Sequence, residues 1–335
     1  MRKILITVVA LAAVCAALPV GAVPAPVGSV AVGAGPTAVA WNPVTRLFYV
    51  ADSSEDTISV VAAAGTRLSV DSPAPGQAAA GAEIARIPVG DAPAGIAVDP
   101  ESGAVYVSNQ GSNTISVLSG LSAGDEWNVG EEPWGLAVDD KTGKLCVAMY
   151  SEHKLWIIDT ATMSTSAILS IPGGPNAVAA GGGRCYVTAF YAGSITAVDL
   201  TTSTIAWSVL SVPGLVASCP SGVALYPGQP ARMYVTNECD DSVSIFNPVN
   251  GGLLLGAPVS LDLGAAPAGV AASDTSVYVT EGGTGRVSVL NPLTGTGVAL
   301  PAGNAPRGIA VSAEPECALA ANFASQSASM ICDVL

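Results

Sequence analysis

The chain carries one histidine, His153, within Ser151-Glu-His-Lys154. A lone imidazole can act as a general base, but it cannot build a multi-histidine copper or zinc centre, which excludes electron-transfer chemistry of that kind. Gly120-Leu-Ser-Ala-Gly124 has the Gly-x-Ser-x-Gly spacing of a nucleophile elbow. That motif needs a strand turning into a helix, and no helical pattern follows it here, so it supplies no nucleophile. Carboxylates and amides end a series of short apolar runs: Asp52, Asn109, Asn237, Glu281 and Asn322. Asp91 and Glu131 stand in turns expected on the same rim, with Trp134 and Tyr150 among them. Such a set can hold Ca²⁺ through carboxylate and amide oxygens, or stack a cationic or sugar-like ligand on aromatic faces. The same residues have plain structural uses, since acidic loops keep an apolar chain in solution and Asn and Asp cap turns.

The elements that place these residues form a repeat. Tyr234-Val-Thr-Asn237 recurs as Tyr49-Val-Ala-Asp52, Tyr106-Val-Ser-Asn109, Cys146-Val-Ala-Met149, Tyr186-Val-Thr-Ala189, Tyr278-Val-Thr-Glu281 and Leu319-Ala-Ala-Asn322. The unit is clearest in the second copy. Gly95-Ile-Ala-Val98 follows Pro93, a turn falls at Asp99-Pro-Glu-Ser-Gly103, and β-branched Thr114 to Leu118 follows Val105 to Asn109. Labelled a to d, these strands and a last one ending at Val129-Gly130 make four antiparallel strands per unit, which is a propeller blade. The prolines opening strand a stand at 36, 93, 133, 175, 220, 267 and 306, steps of 57, 40, 42, 45, 47 and 39 residues. Blades repeat at about 40 residues, so the expected fold is all-β, a seven-bladed β-propeller in a single domain over 23–335. The long first step contains Thr66 to Ala82, rich in Pro, Ala, Gly and Ser, which reads as a floppy c–d loop. Gly or Ala two residues after each of these prolines fits the taper of inner strands toward an axis.

Composition agrees. Of 335 residues 37 are Gly and 24 Pro, 50% are hydrophobic and 11% charged, which suits many short strands and tight turns. The formal charge of −14 makes nucleic acid and anionic membrane surfaces poor partners. Met1–Ala22 has Arg2 and Lys3, an apolar run and small residues at Val20-Gly21-Ala22, the pattern of an export signal, and no second apolar run is long enough to span a membrane. The seventh unit has no strand d, whereas Val27 to Gly33 matches the d pattern without a blade of its own. The N-terminal strand is therefore expected to complete the last blade. Six cysteines remain after the leader. Cys219 and Cys239 fall on one rim, and Cys317 and Cys332 at neighbouring hairpin ends, so both pairs are disulfide candidates. Cys146 and Cys185 lie on strand b of adjacent blades, expected about 10 Å apart, and read as buried thiols.

These motifs, Pro-x-Gly-Ile-Ala-Val, Tyr-Val-Thr-Asn and Thr-Ile-Ser-Val, resemble the YVTN-type β-propeller repeat family over residues 27–335. The resemblance, shared with lactonase-like and NHL-type seven-bladed propellers, implies a fold and export but no catalytic residue. The expected function is a secreted, monomeric binding scaffold for a protein, small-molecule or carbohydrate ligand. Its site is the acidic rim formed by Asp52, Asp91, Asn109, Glu131, Trp134, Tyr150, Asn237, Glu281 and Asn322. One alternative is a lactonase-like hydrolase using His153 or Glu281 to activate water, and another is a structural component of the cell surface. No cofactor is implied apart from Ca²⁺.

Overall fold

The computed structural model describes residues 23–63, 67–68, 76–77, 81–210, 218–313 and 316–334. The expected export signal at residues 1–22 lies outside the described residues. Seven four-stranded antiparallel sheets stand in a ring, with the first strand of each innermost and adjacent to its neighbours' first strands. Blade 2 runs Pro93–Val98, Ala104–Asn109, Thr114–Ser119 and Ser122–Asn128 from the axis outward. Gly120 to Gly124 thus spans a c–d turn between strands, without the helix a nucleophile elbow requires. Among the described residues the one helical element is the 3₁₀ turn Glu238–Asp240, and no helix is long and apolar enough to cross a membrane.

Inner strands begin at Pro36, Pro93, Pro133, Pro175, Pro220, Pro267 and Pro306, the positions predicted from the repeat. Proline has no N–H to offer a ladder, so it fits the first residue of a strand, and a register shift follows each of the seven. A Cβ on Gly135, Gly269 or Gly308 would collide with the inner strand of the next blade, which accounts for the small residues there.

The recurrent tetrad binds blade to blade. Its tyrosines are buried, and their hydroxyls reach the following blade: Tyr49 donates to the Gly120 carbonyl (3.0 Å), Tyr186 to Pro248 (3.1 Å) and Tyr234 to Pro292 (2.5 Å). Tyr278 donates to Glu316 Oε1 at 3.0 Å. The third residue works nearer the axis. Thr236 Oγ1 accepts the Gly222 N–H (2.7 Å) and donates to the Ala268 carbonyl of blade 6 (2.7 Å). Thr280 repeats this between Gly269 (2.8 Å) and the Arg307 carbonyl of blade 7 (2.5 Å), and Ser108 between Gly95 and the Trp134 carbonyl of blade 3. The second residue, valine in six copies, is fully buried.

The N-terminal strand Val23–Ala31 pairs with Ser327–Val334 and completes blade 7, beginning four residues before the expected Val27. Blade 7 has no tyrosine to offer blade 1. Their interface is apolar instead, with Val39, Phe48, Val50, Leu319 and Met330 in one cluster against Trp41.

Two expectations are corrected. Within the region read as a floppy loop, Arg67–Leu68 pairs with Gly76–Gln77 in a two-stranded ladder separate from the blades. Cys146 and Cys185, read as free thiols, form a disulfide with Cα atoms 6.6 Å apart. A spacing of about 10 Å holds for sheets stacked face to face, but blades converge toward the axis and strand b lies on the inner side of each wedge. Cys219–Cys239 and Cys317–Cys332 are bridged as expected, the latter as directly opposed residues of a hairpin.

Deleting residues 23–31 strips the outer strand from the closing blade and should lower the melting temperature by 10 °C or more, roughly, whereas excising 66–80 should lower it far less. Equal losses in thermal melts would contradict strand-exchange closure. The double substitution Cys146→Ser/Cys185→Ser opens a loop closed over 39 residues and should destabilise the chain by roughly 2–4 kcal/mol in denaturant titrations.

Candidate functional site

The d–a turns and b–c loops meet on one rim, and the nine predicted site residues divide there into two groups. Asp52, Asn109, Asn237, Glu281 and Asn322 were expected to reach the rim, yet their side chains are buried. Each turns back onto strand c of its own blade. Asn109 Nδ2 donates to Thr114 (3.0 Å) and Ser116 (2.8 Å), Asn237 to Ser242 (3.1 Å) and Ser244 (2.9 Å), and Asn322 to Ser327 (3.2 Å) and Ser329 (2.9 Å). Asp52 accepts from Thr57 (3.2 Å) and Ser59 (2.7 Å), and Glu281 from Thr284 (2.6 Å) and Ser288 (2.5 Å). A short polar side chain at the end of strand b lies opposite the start of strand c, so Asp52 and the three asparagines meet hydroxyls at i+5 and i+7 before they can reach solvent, while the longer Glu281 meets hydroxyls at i+3 and i+7. A glycine just after strand d makes room for it, because a Cβ on Gly33, Gly90 or Gly303 would collide with Asp52, Asn109 or Asn322.

Burial pushes the Asp52 carboxyl up to about 6 from an ordinary 3.8, against the opposing pull of the Ser59 and Thr57 hydroxyls. His153, an exposed loop residue at φ 55°, accepts the Gly174 N–H at Nδ1 (3.1 Å), which leaves the proton of a neutral ring on Nε2. His153 and Glu281 belong to blades three apart and do not form a catalytic pair. Among the described residues no three His, Cys, Asp or Glu side chains converge in a way that could hold a metal ion.

Asp91, Glu131, Trp134 and Tyr150 do stand at the rim surface, and the last two belong to an aromatic run across blades 3 and 4. Trp134 and Tyr150 have ring centroids 5.0 Å apart, Tyr150 and Tyr191 5.9 Å, and Phe190 and Tyr191 5.4 Å. The Tyr150 hydroxyl donates to that of Tyr191 at 2.8 Å. Backbone bonds from Tyr150 to Glu132 (3.0 Å), Phe190 to Gly174 (3.0 Å) and Tyr191 to Gly173 (2.8 Å) pin these loops to the d–a turns. Gly174 has φ +72°, and a Cβ there would come 3.0 Å from the Tyr191 ring and 3.2 Å from that of Tyr150. Burial, then the Tyr191 hydroxyl, then the Glu132 carboxylate, push the Tyr150 phenol up to about 12. Tyr191 is 72% exposed. Next to the run, a cavity of about 420 Å³ opens between blades 2 and 3, lined by Ala92, Gln110, Gly111, Asn113, Glu131, Glu132 and Ser151. Ser151 donates to Glu132, while Glu152 is drawn to Lys154 (2.8 Å) and accepts the Glu131 N–H (2.7 Å).

Sequence reasoning missed Arg307, which stacks on Phe323 at 4.1 Å and whose charge opposes the burial that raises the Glu238 carboxyl. The signal was present: Arg307 directly follows a strand-a proline, as Trp134 does.

No family model and no curated protein matches the chain. Solved structures do match in fold. Hydrazine synthase of Kuenenia stuttgartiensis superposes with a TM-score of 0.71 at 18% identity, covering 89% of this chain and 95% of that one. A catalytically inactive histidine-to-alanine virginiamycin B lyase of Staphylococcus aureus, with quinupristin, gives 0.74 at 13% identity over 92% and 99%. U3-55K gives 0.74 at 13% identity over 92% and 100%. Proteins so different in name share one scaffold, so the likeness establishes the propeller and leaves function to the site.

The folded value of Asp52 lies above its unfolded one, so the contribution of this group is intact below pH 4 and lost as pH rises through about 6. Asp52→Asn, which installs the amide of three sister blades, should therefore stabilise the protein by about 1–3 kcal/mol at pH 7 and not at pH 4. Denaturant titrations at the two pH values check this, and an equal gain at both would contradict it.

Proposed function

We propose that the protein is an exported binding scaffold whose ligand is held by the aromatic run of blades 3 and 4 and by the carboxylates of the adjoining cavity. Trp134, Tyr150, Tyr191 and Phe190 form one continuous surface with Tyr191 largely in solvent, and this observation carries the reading. Contiguous exposed apolar surface rimmed by polar groups marks interaction sites. The π faces together with Glu131 and Glu132 suit an organic cation or a sugar with a positively charged substituent. Three disulfides and the leader pattern at residues 1–22 support export, since disulfides persist in oxidising compartments.

An enzymatic reading has one observation in its favour: His153 bonds Gly174, the turn that seats Tyr150 and Tyr191. The virginiamycin B lyase named above is inactive when a histidine is replaced, so a panel of sugar and acyl lactones, the substrates of the lactonase-like alternative, should also be followed for turnover.

Calorimetric titration against amino sugars, quaternary ammonium compounds and cationic peptides should find a saturating ligand. Tyr191→Ala and Trp134→Ala should each weaken it about tenfold or more while leaving the melting temperature nearly unchanged. Binding indifferent to both substitutions would refute this site, and turnover abolished by His153→Ala would replace the scaffold with an enzyme.

A further inference from the structure

The opposite mouth of the ring, where the inner strands end, encloses a cavity of about 920 Å³. Its wall is mostly apolar, with Trp41, Val98, Val138, Tyr226, Ala271 and Ile309 among the lining residues. That volume lies within the range of small-molecule sites. Arg232 also lines it, from the a–b turn of blade 5, and its Nε and Nη1 atoms are buried without a hydrogen-bond partner. The turn is held in place. The Tyr226 N–H donates to the Arg232 carbonyl (2.9 Å), and the Tyr226 hydroxyl donates to the Asp274 carbonyl of blade 6 (2.9 Å). The one carboxylate residue in the lining, Asp140, is exposed and belongs to blade 3, while Lys141 Nζ is directed to the Gly182 carbonyl at 3.4 Å.

A guanidinium donates through five N–H groups in a planar fork and stays charged at any physiological pH. Leaving two such atoms buried and unbonded is costly, and natural structures answer that cost with an acceptor. Because Arg232 lines the cavity, a turn of its guanidinium toward the open space lets a ligand supply the acceptor, and whatever carries it must also cover aliphatic and aromatic wall.

From this pairing of an unbonded buried cation with an apolar cavity, we propose that the lower mouth binds a single-chain amphiphile with a carboxylate head. The head accepts from Arg232 and the hydrocarbon chain lies along the ends of the inner strands. This site is separate from the aromatic rim and stands whether or not the rim binds a ligand.

The test is calorimetry on the full-length protein with decanoate below its micellar concentration, alongside decanol and acetate. Decanoate should bind one to one, decanol about tenfold more weakly or worse, and acetate without measurable heat. Arg232→Met should erase the preference for decanoate over decanol without lowering the melting temperature, Arg232→Lys should keep a preference, and Tyr191→Ala at the other rim should change nothing. Absence of saturable decanoate binding overturns the proposal. So does decanoate affinity unchanged by Arg232→Met, or acetate bound as tightly as decanoate.

Discussion

The ring depends on hydroxyl groups that leave one blade to satisfy the backbone of the next. Inner strands approach so closely that a Cβ on Gly135, Gly269 or Gly308 would collide with the next blade, and the carbonyls facing that gap have no sheet partner across it. An unmet buried carbonyl costs about as much as a lost hydrogen bond. Thr236, Thr280 and Ser108 remove that cost at three interfaces by accepting from the bulged glycine of their own blade and donating across the gap. Thr37 and Ser221 add donors from the inner strand itself, to the carbonyls of Pro93 (3.1 Å) and Pro267 (2.9 Å).

Blade 3 shows what happens when the staples are missing. Its copy, Cys146-Val-Ala-Met149, has no tyrosine hydroxyl, no threonine and no terminal amide. Cys146 stands where the tyrosine would, and it reaches the following blade as the tyrosines do, by a covalent bond to Cys185. The joined blades are the two that carry Trp134, Tyr150, Phe190 and Tyr191. A platform assembled across an interface needs that interface fixed to better than an ångström or so if its rings are to act as one surface. The covalent tie supplies that rigidity at the place where the repeat gave up its hydrogen bonds.

Much of this architecture was legible because its signals are local and repeated. The prolines, the Gly or Ala two residues later, the alternation of strands and the unpaired N-terminal strand each follow from backbone chemistry that any copy displays. The Cys146–Cys185 pairing was not legible, since it depends on how far two wedges converge at one radius, a quantity no single repeat encodes. Burial of Asp52, Asn109, Asn237, Glu281 and Asn322 was misjudged for a related reason. A polar residue at a strand end reads as solvent-facing until its partners are seen to be hydroxyls, at i+5 and i+7 for Asp52 and the three asparagines and at i+3 and i+7 for Glu281. Arg232 was overlooked because its significance lies in what it lacks, a partner, and pattern alone does not display an absence.

The buried braces also move the place where specificity can vary. In five blades, holding the end of strand b to strand c fixes the direction in which the chain leaves the blade, and in all seven the next residue faces the same rim. That residue is Ser53, Gln110, Tyr150, Phe190, Glu238, Gly282 or Phe323, half-buried in all seven blades and chemically different in nearly every one. In the five braced blades the tetrad's last position is committed to the scaffold, because changing it leaves buried hydroxyls unpaired. The position after it bears no such duty and faces the rim. A ring of seven similar blades can thus present hydroxyl, amide, aromatic or acidic groups around one mouth without altering the hydrogen bonds that hold it together. The aromatic pair at positions 150 and 190 follows Met149 and Ala189, the two tetrads without a polar brace, and in that sector the Cys146–Cys185 bond ties the blades together in its place.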